Sequence, residues 1–307
     1  MGLLLVVTSL SCQAQTRPEP DERFLGAYLP EYRLNQFDAE HLTALTDLML
    51  FSVEVEAEGR LNLDRWGGER LRRLDEIAVS APCRVLMSVG GWGRSKGFPA
   101  VAADPGRRKR FANELIQFCE QHRLDGIDID WEHPSSEEER ALFVVLMQDL
   151  GRELHRHQLL LTTALAPWKP VDPQVAMAID RIHLMSYDDE GRHSTPEQAE
   201  ANIRKWVAAG IPARKLCLGI PCYGKPIERD GRPARTYRDL VDRQTGNQLD
   251  EVDGYYFNGP ATVERKVDLA REQKLPGVFF WEMAQDLPAN DPHSLIQTAA
   301  KRLRDGP

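Results

Sequence analysis

The stretch "GIDIDW" (residues 126–131), inside "LDGIDIDWEH" (124–133), alternates Asp128 and Asp130 with Ile127, Ile129 and Trp131, and Glu132 continues the acidic series. Successive side chains of a strand point to opposite faces, so Asp128, Asp130 and Glu132 share one face while Ile127, Ile129 and Trp131 share the other. Acidic runs are ordinarily solvated loops. Strict alternation with large apolar residues argues instead for a strand whose second face is covered by other elements. Asp125 stands one position before Gly126, at the entry to the strand.

Carboxylates two residues apart on a strand are spaced by roughly 6.6–6.8 Å. Once partly desolvated, three of them cannot all ionise comfortably near neutral pH, so one holds a proton. A protonated carboxylic acid beside ionised neighbours is what a general acid needs to protonate a leaving oxygen. Aligned carboxylates also suit magnesium or calcium, which keeps a divalent-ion site as a competing reading that loss of activity on chelation would support.

Working outward, seven further apolar runs read as buried parallel strands: "RFLGAY" (23–28), "DLMLFSV" (47–53), "RVLMSV" (84–89), "LLLTTALA" (159–166), "RIHLMSY" (181–187), "KLCLGIP" (215–221) and "GVFFW" (277–281). Helical patterns lie between most of them, near 66–79, 107–122, 135–157, 196–209, 261–273 and 292–304. The clearest is 135–157, where Ser135 or Ser136 can cap with Glu138 or Glu139, and Phe143, Leu146, Leu150 and Leu154 recur at helical spacing. Eight strands alternating with helices predict an α/β fold, the (β/α)8 TIM barrel, whose site lies at the C-terminal ends of its strands.

Composition narrows the partners. A formal net charge of −8 and the lack of a Lys/Arg block argue against nucleic acid, because phosphate binding needs clustered cations. An uncharged or carbohydrate-like partner fits better. The four cysteines beyond Cys12 (Cys83, Cys119, Cys217 and Cys222) allow three pairings, and sequence does not choose among them. Neither a Cys-x-x-Cys pair nor zinc-type histidine spacing occurs, so no metal or other cofactor is expected.

The opening "MGLLLVVTSLSCQAQTRPEP" has an apolar run from Leu3 to Leu10, then small residues, then a Pro-rich polar segment. That is the pattern of an export signal, with cleavage expected after Ala14, although no Lys or Arg precedes the run. The run is too short to span a bilayer, which needs about 20 apolar residues. Cys12 follows Ser9, Leu10 and Ser11, a weak lipoprotein-like context that makes it a candidate for a lipid anchor. The expected organisation is residues 1–20 as signal peptide and short linker and 21–307 as one barrel, secreted or periplasmic.

The pattern D-x-x-D-x-D-x-E, filled by Asp125, Asp128, Asp130 and Glu132, resembles the signature of glycoside hydrolase family 18, the family of many chitinases. Four more segments resemble the family's motifs in order: "SVGGW" (88–92) on the third strand, "MSYDD" (185–189) on the sixth, "LGIPCYGK" (218–225) on the seventh and "FFWEMAQD" (279–286) on the eighth. The likeness runs from about residue 23 to 286. It implies hydrolysis of β-1,4-linked N-acetylglucosamine polymers or oligomers with retention, in which the substrate's own acetamido group is the nucleophile.

On that resemblance Glu132 is the acid and then the base, Asp130 orients the acetamido N–H, Asp128 tunes Asp130, and Tyr187 donates to the acetamido oxygen. Asp188 contacts sugar hydroxyls, Met185 and Trp281 form the floor beneath the distorted sugar, Ser88 contacts Asp128, and Gly90, Gly91, Trp92 and Tyr223 complete the substrate-binding set. Each has a structural alternative: Gly90 and Gly91 as turn glycines, and Trp92, Trp168 and Trp281 as core aromatics.

Three departures from the family pattern carry expectations. Ala27 follows Gly26 where the family often has an aromatic, which leaves Asp128 without its usual tyrosine hydroxyl. His133 follows Glu132 where Tyr is common. The stretch between the seventh and eighth strands is too short for a full α+β insertion, which implies a shallow, open cleft. Two rivals remain: an endo-β-N-acetylglucosaminidase acting on glycoprotein glycans, and a catalytically silent chitin-binding lectin, against which the presence of Glu132 speaks.

Overall fold

The computed structural model of the protein describes residues 23–241 and 250–305; the segment expected to be an export signal, its expected cleavage point and Cys12 lie outside the described residues. Eight parallel strands make up the barrel: β1 (Phe24–Pro30), β2 (Asp47–Val55), β3 (Arg84–Gly90), β4 (Gly126–Asp130), β5 (Leu160–Leu165), β6 (Arg181–Leu184), β7 (Leu216–Pro221) and β8 (Gly277–Trp281), with a two-residue strand, Leu61–Asn62, added antiparallel to β2 at its outer end. Each of the eight runs parallel to its sequence neighbour, and β1 pairs with both β2 and β8, which closes the sheet into a barrel.

Outside the sheet lie α1 (Gly68–Ser80), α2 (Pro105–His122), α3 (Glu137–Arg156), α4 (Pro173–Ala178), α5 (Pro196–Ala208), α6 (Pro260–Glu272) and α7 (Leu295–Arg304). Of the two candidate caps for α3, Ser136 is the one used: its side chain accepts from Glu139 N–H and the Glu139 carboxylate returns to the Ser136 N–H. Phe143, Leu146, Leu150 and Leu154 are buried on its inner face. Each such side chain contributes about 1.5–3 kcal/mol by leaving water, so packing rather than propensity holds the helix. The connection from β1 to β2 uses short 3-10 turns instead of a helix, and the short α4 carried no clear periodic signal.

Two apolar layers result from strand alternation. Ala27, Ile127, Ile129 and Trp131 join the layer between sheet and helices, whereas Phe24, Tyr28, Met49, Phe51, Leu86, Tyr187 and Phe279 fill the barrel interior. At the N-terminal end of the strands, buried Asp47 is paired with Arg84 at 2.8 Å and Arg181 at 2.9 Å. Functional groups are thus left to the opposite, C-terminal end.

Cys83, Cys119, Cys217 and Cys222 are all buried and free, so none of the three possible pairings is formed. Between β7 and β8 the chain adds a small antiparallel sheet of strands Tyr223–Pro226, Arg235–Thr236, Glu251–Val252 and Tyr255–Tyr256. This is far smaller than a full insertion domain.

Candidate active site

Strand β4 delivers the acid row to the barrel mouth. Asp128 is fully buried and receives hydrogen bonds from Thr162 Oγ1 at 2.6 Å, Tyr28 Oη at 2.8 Å and Ser88 Oγ at 3.3 Å, with His183 Nδ1 3.3 Å from its Oδ1. Burial by itself would raise its pKa, but His183, Thr162 and Tyr28 outweigh it and hold the group below the usual carboxylate range. Asp128 is therefore the ionised member.

The expectation that Ala27 deprives Asp128 of a tyrosine is overturned. Alternation along β1 turns Ala27 outward and Tyr28 inward, and it is Tyr28 that reaches the carboxylate.

Asp130 is also buried, and its Oδ1 has no hydrogen-bond partner among the described residues. Burial and the charges of Glu132 and Asp128 push it well above the ordinary range. Glu132 is pushed up to about 7 by burial and by the negative charge of Asp188, against a backbone hydrogen bond from Trp92 that lowers it. Asp128, ionised at the bottom, thus helps to keep a proton on Asp130, while burial and Asp188 favour the proton on Glu132, the state an acid catalyst requires.

Glu132 is aimed by its surroundings. Its N–H donates to Ser95 Oγ at 3.0 Å, and His133 Nε2 stands 3.3 Å from its Oε2. Glu132 and His133 line a cleft of about 510 Å³ together with Asp130, Tyr187, Asp188, Met185, Trp281, Trp92 and Trp168, and with Tyr32, Phe51 and Arg94, which sequence reasoning missed. Arg94 lies two positions after "SVGGW", just beyond the third strand, a signal that position past a strand end offered, whereas Phe51 lies within the second strand's run and gave none.

The remaining expected residues are placed as follows. Trp92 and Trp168 are 79% and 58% exposed and so are not core aromatics. Trp281 lies in the cleft and packs edge-on against Phe51, with ring centroids 4.8 Å apart. Tyr223 donates to Asp188 Oδ1 at 2.7 Å and lines a neighbouring hollow with Lys225, Arg33 and Arg235, which Asp188 and Trp281 share with the main cleft. Ser88 is buried under Asp128. Asp125 accepts from Val85 N–H at 2.9 Å and ties β3 to the start of β4.

Gly90 and Gly91 have φ of +103° and +104°, and the close approaches they permit are to protein. A Cβ on Gly90 would lie 2.3 Å from Asp130 O, and one on Gly91 would lie 2.3 Å from the Phe51 ring. Neither lines the cleft. The peptide bonds Phe51–Ser52, Glu132–His133 and Trp281–Glu282, which the sequence gives no sign of, are cis.

The profile of Glycosyl hydrolases family 18 matches residues 25–286. Chitinase 1 of Aphanocladium album is 27% identical over 279 residues, which cover 72% of this chain and 65% of that protein. Probable chitinase 2 of Drosophila melanogaster is 30% identical, with 85% of this chain and 56% of that protein covered. The chain thus spans somewhat less than two thirds of the length of these relatives. A crystal structure of a chitinase from Bacteroides thetaiotaomicron superposes with a TM-score of 0.80 at 23% identity, over 92% of this chain and 96% of that one.

Proposed function

The chain belongs to glycosyl hydrolases family 18, and from that premise we propose that it is a chitinase-type enzyme, hydrolysing β-1,4-linked N-acetylglucosamine oligomers or polymers with retention of configuration. The observation that carries the reading is the acid row at the floor of an aromatic cleft, with the buried, hydrogen-bonded Asp128 favoured as the ion beneath Asp130 and Glu132, whose pKa values are both raised. The naming of curated relatives as chitinases supports the substrate class.

In this reading Glu132 protonates the glycosidic oxygen, and its raised pKa keeps the proton available up to about neutral pH. Asp130, with a buried oxygen free of protein partners, accepts the acetamido N–H and turns the acetamido oxygen toward the anomeric carbon. Attack by that oxygen forms an oxazolinium-like intermediate, so the protein itself supplies no nucleophile. Tyr187, at the cleft wall, donates to the same oxygen, and Trp281 lies beneath the sugar. Glu132, now ionised, takes a proton from the water that opens the ring. Asp128 stays charged and favours the proton on Asp130.

Export is part of the proposal: the apolar run from Leu3 to Leu10 would carry the enzyme out of the cytoplasm to its polymer, with Cys12 as a candidate lipid anchor. The test of the function is turnover of N-acetylglucosamine oligomers by the parent and by Glu132→Gln, with a thiazoline mimic of the cyclised intermediate as inhibitor. Loss of turnover in the variant and inhibition of the parent are expected. A fully active variant, or indifference to the mimic, would overturn it, and so would release of whole glycans from glycoproteins in preference to oligomer cleavage.

A further inference from the structure

Beneath the acid row the barrel interior holds a histidine that no sequence motif singled out and to which the mechanism assigns no role of its own. His183 of β6 is fully buried. Its ring stacks on Phe24 at a centroid distance of 5.5 Å, leans on Phe279 at 5.1 Å and meets Tyr28 edge-on at 5.8 Å. Its Nδ1 lies 2.8 Å from Tyr28 Oη and 3.3 Å from Asp128 Oδ1, while its Nε2 has no partner among the described residues.

The hydrogen-bond count restricts the protons. Tyr28 has one hydroxyl proton and two close neighbours, Asp128 Oδ2 and His183 Nδ1, both at 2.8 Å. It can donate to only one of them. If it donates to the carboxylate, Nδ1 must carry a proton and donate to the phenol oxygen. If it donates to Nδ1, the carboxyl must be protonated and donate to the phenol. The first arrangement also lets Nδ1–H face Asp128 Oδ1, and it spends the ring's proton where two acceptors wait instead of at Nε2, where there is none.

We propose that His183 is a positioning residue of the acid row: by donating from Nδ1 it keeps the Tyr28 hydroxyl turned toward Asp128, so that Asp128 stays ionised and the neighbouring proton stays on Asp130. This rests on the catalytic roles given above for Asp130 and Glu132. The other charged or titratable groups around the ring are already engaged or neutral. Arg181, two positions earlier on β6, is paired with Asp47 and lies over Phe24; Cys217, opposite on β7, is a buried thiol pushed above its usual pKa; Asp130 lies one step further up β4.

Two measurements decide the matter. A neutron structure of the unaltered protein at a pH of full activity is expected to show a proton on His183 Nδ1 and none on the Asp128 carboxyl. A bare Nδ1 or a protonated Asp128 would overturn the assignment, whatever the substrate proves to be. In the second, His183→Phe keeps a ring of similar size but removes the donor. Asp128 would then ionise at higher pH, so the acid limb of kcat/KM on N-acetylglucosamine oligomers is expected to move up by about one pH unit. His183→Asn, whose amide N–H can donate from nearly the same place, is expected to return the limb toward its original position. An equal loss of rate at every pH in both variants, with the limb unmoved, would make His183 a packing residue only. Failure of the parent to cleave any such oligomer would end the substrate reading, and the neutron result would still decide for or against His183.

Discussion

The hydroxyl of Tyr223 donates to Asp188 Oδ1 at 2.7 Å, and Lys225 Nζ lies 3.2 Å from the same oxygen. The insertion after β7 thereby fixes a carboxylate that belongs to the end of β6, and the negative charge of that carboxylate raises the pKa of Glu132. Asp188 acts on Glu132 across the cleft that both residues line.

A shift in pH dependence follows. Glu132 must be protonated to act as the acid, so kcat/KM is expected to fall as pH rises through about 7. Removing the charge in Asp188→Asn makes ionisation of Glu132 easier and lowers its pKa, so the alkaline limb should move to lower pH. Initial rates on N-acetylglucosamine oligomers from pH 4 to 10, with and without chelator, check this. A limb that stays in place would refute the coupling, and activity abolished by chelator would restore the divalent-ion reading.

Trp92 is largely exposed, so its removal should leave the fold intact and cost only binding. Loss of one aromatic stacking surface of about 0.5–1.5 kcal/mol predicts that Trp92→Ala raises KM for long oligomers up to about tenfold, with an unchanged melting temperature. Comparing KM across oligomer lengths tests it, and equal KM in parent and variant at every length would remove Trp92 from the binding surface.

Gly90→Ala should fail for two reasons at once: a positive φ, and a Cβ 2.3 Å from Asp130 O. Strain of this kind costs about 1–3 kcal/mol, and relieving it displaces the strand that carries Asp130 and Glu132. A lower melting temperature together with a drop in kcat of at least about tenfold is expected. A fully active, fully stable variant would show that the contact relaxes freely.

At the far end of the barrel, Asp47→Asn should destabilise without touching chemistry. It leaves Arg84 and Arg181 facing a neutral partner in a buried site, a loss of about 3 kcal/mol for breaking such a pair. Burial opposes the charge of Asp47, but Arg181 and Arg84 hold its folded pKa below the ordinary value. Its contribution is therefore present above the unfolded carboxyl pKa of about 3.9 and is lost as pH falls through the lower folded value. Urea melts at pH 7 and at pH 3 should differ less for the variant than for the parent.

Much of this was legible in the chain itself. Alternation in "GIDIDW" is a consequence of strand geometry, and it assigns Asp128, Asp130 and Glu132 to one face whatever surrounds them. The eight apolar runs and the caps and periodicity of the helices are likewise local, and they sufficed for the barrel and for the end of it where function lies. What the sequence did not determine is which group each carboxylate meets. Tyr28 lies 100 positions from Asp128, and His183 lies 155 from Tyr28; only closure of β1 onto β2 and β8, with β4 and β6 facing it across the interior, brings them together. The same holds for Tyr32, Phe51 and Arg94 in the cleft and for the division of protons along the acid row. A pKa depends on burial and on charges converging from several strands, so the row could be read from the sequence, but its protonation came from the barrel.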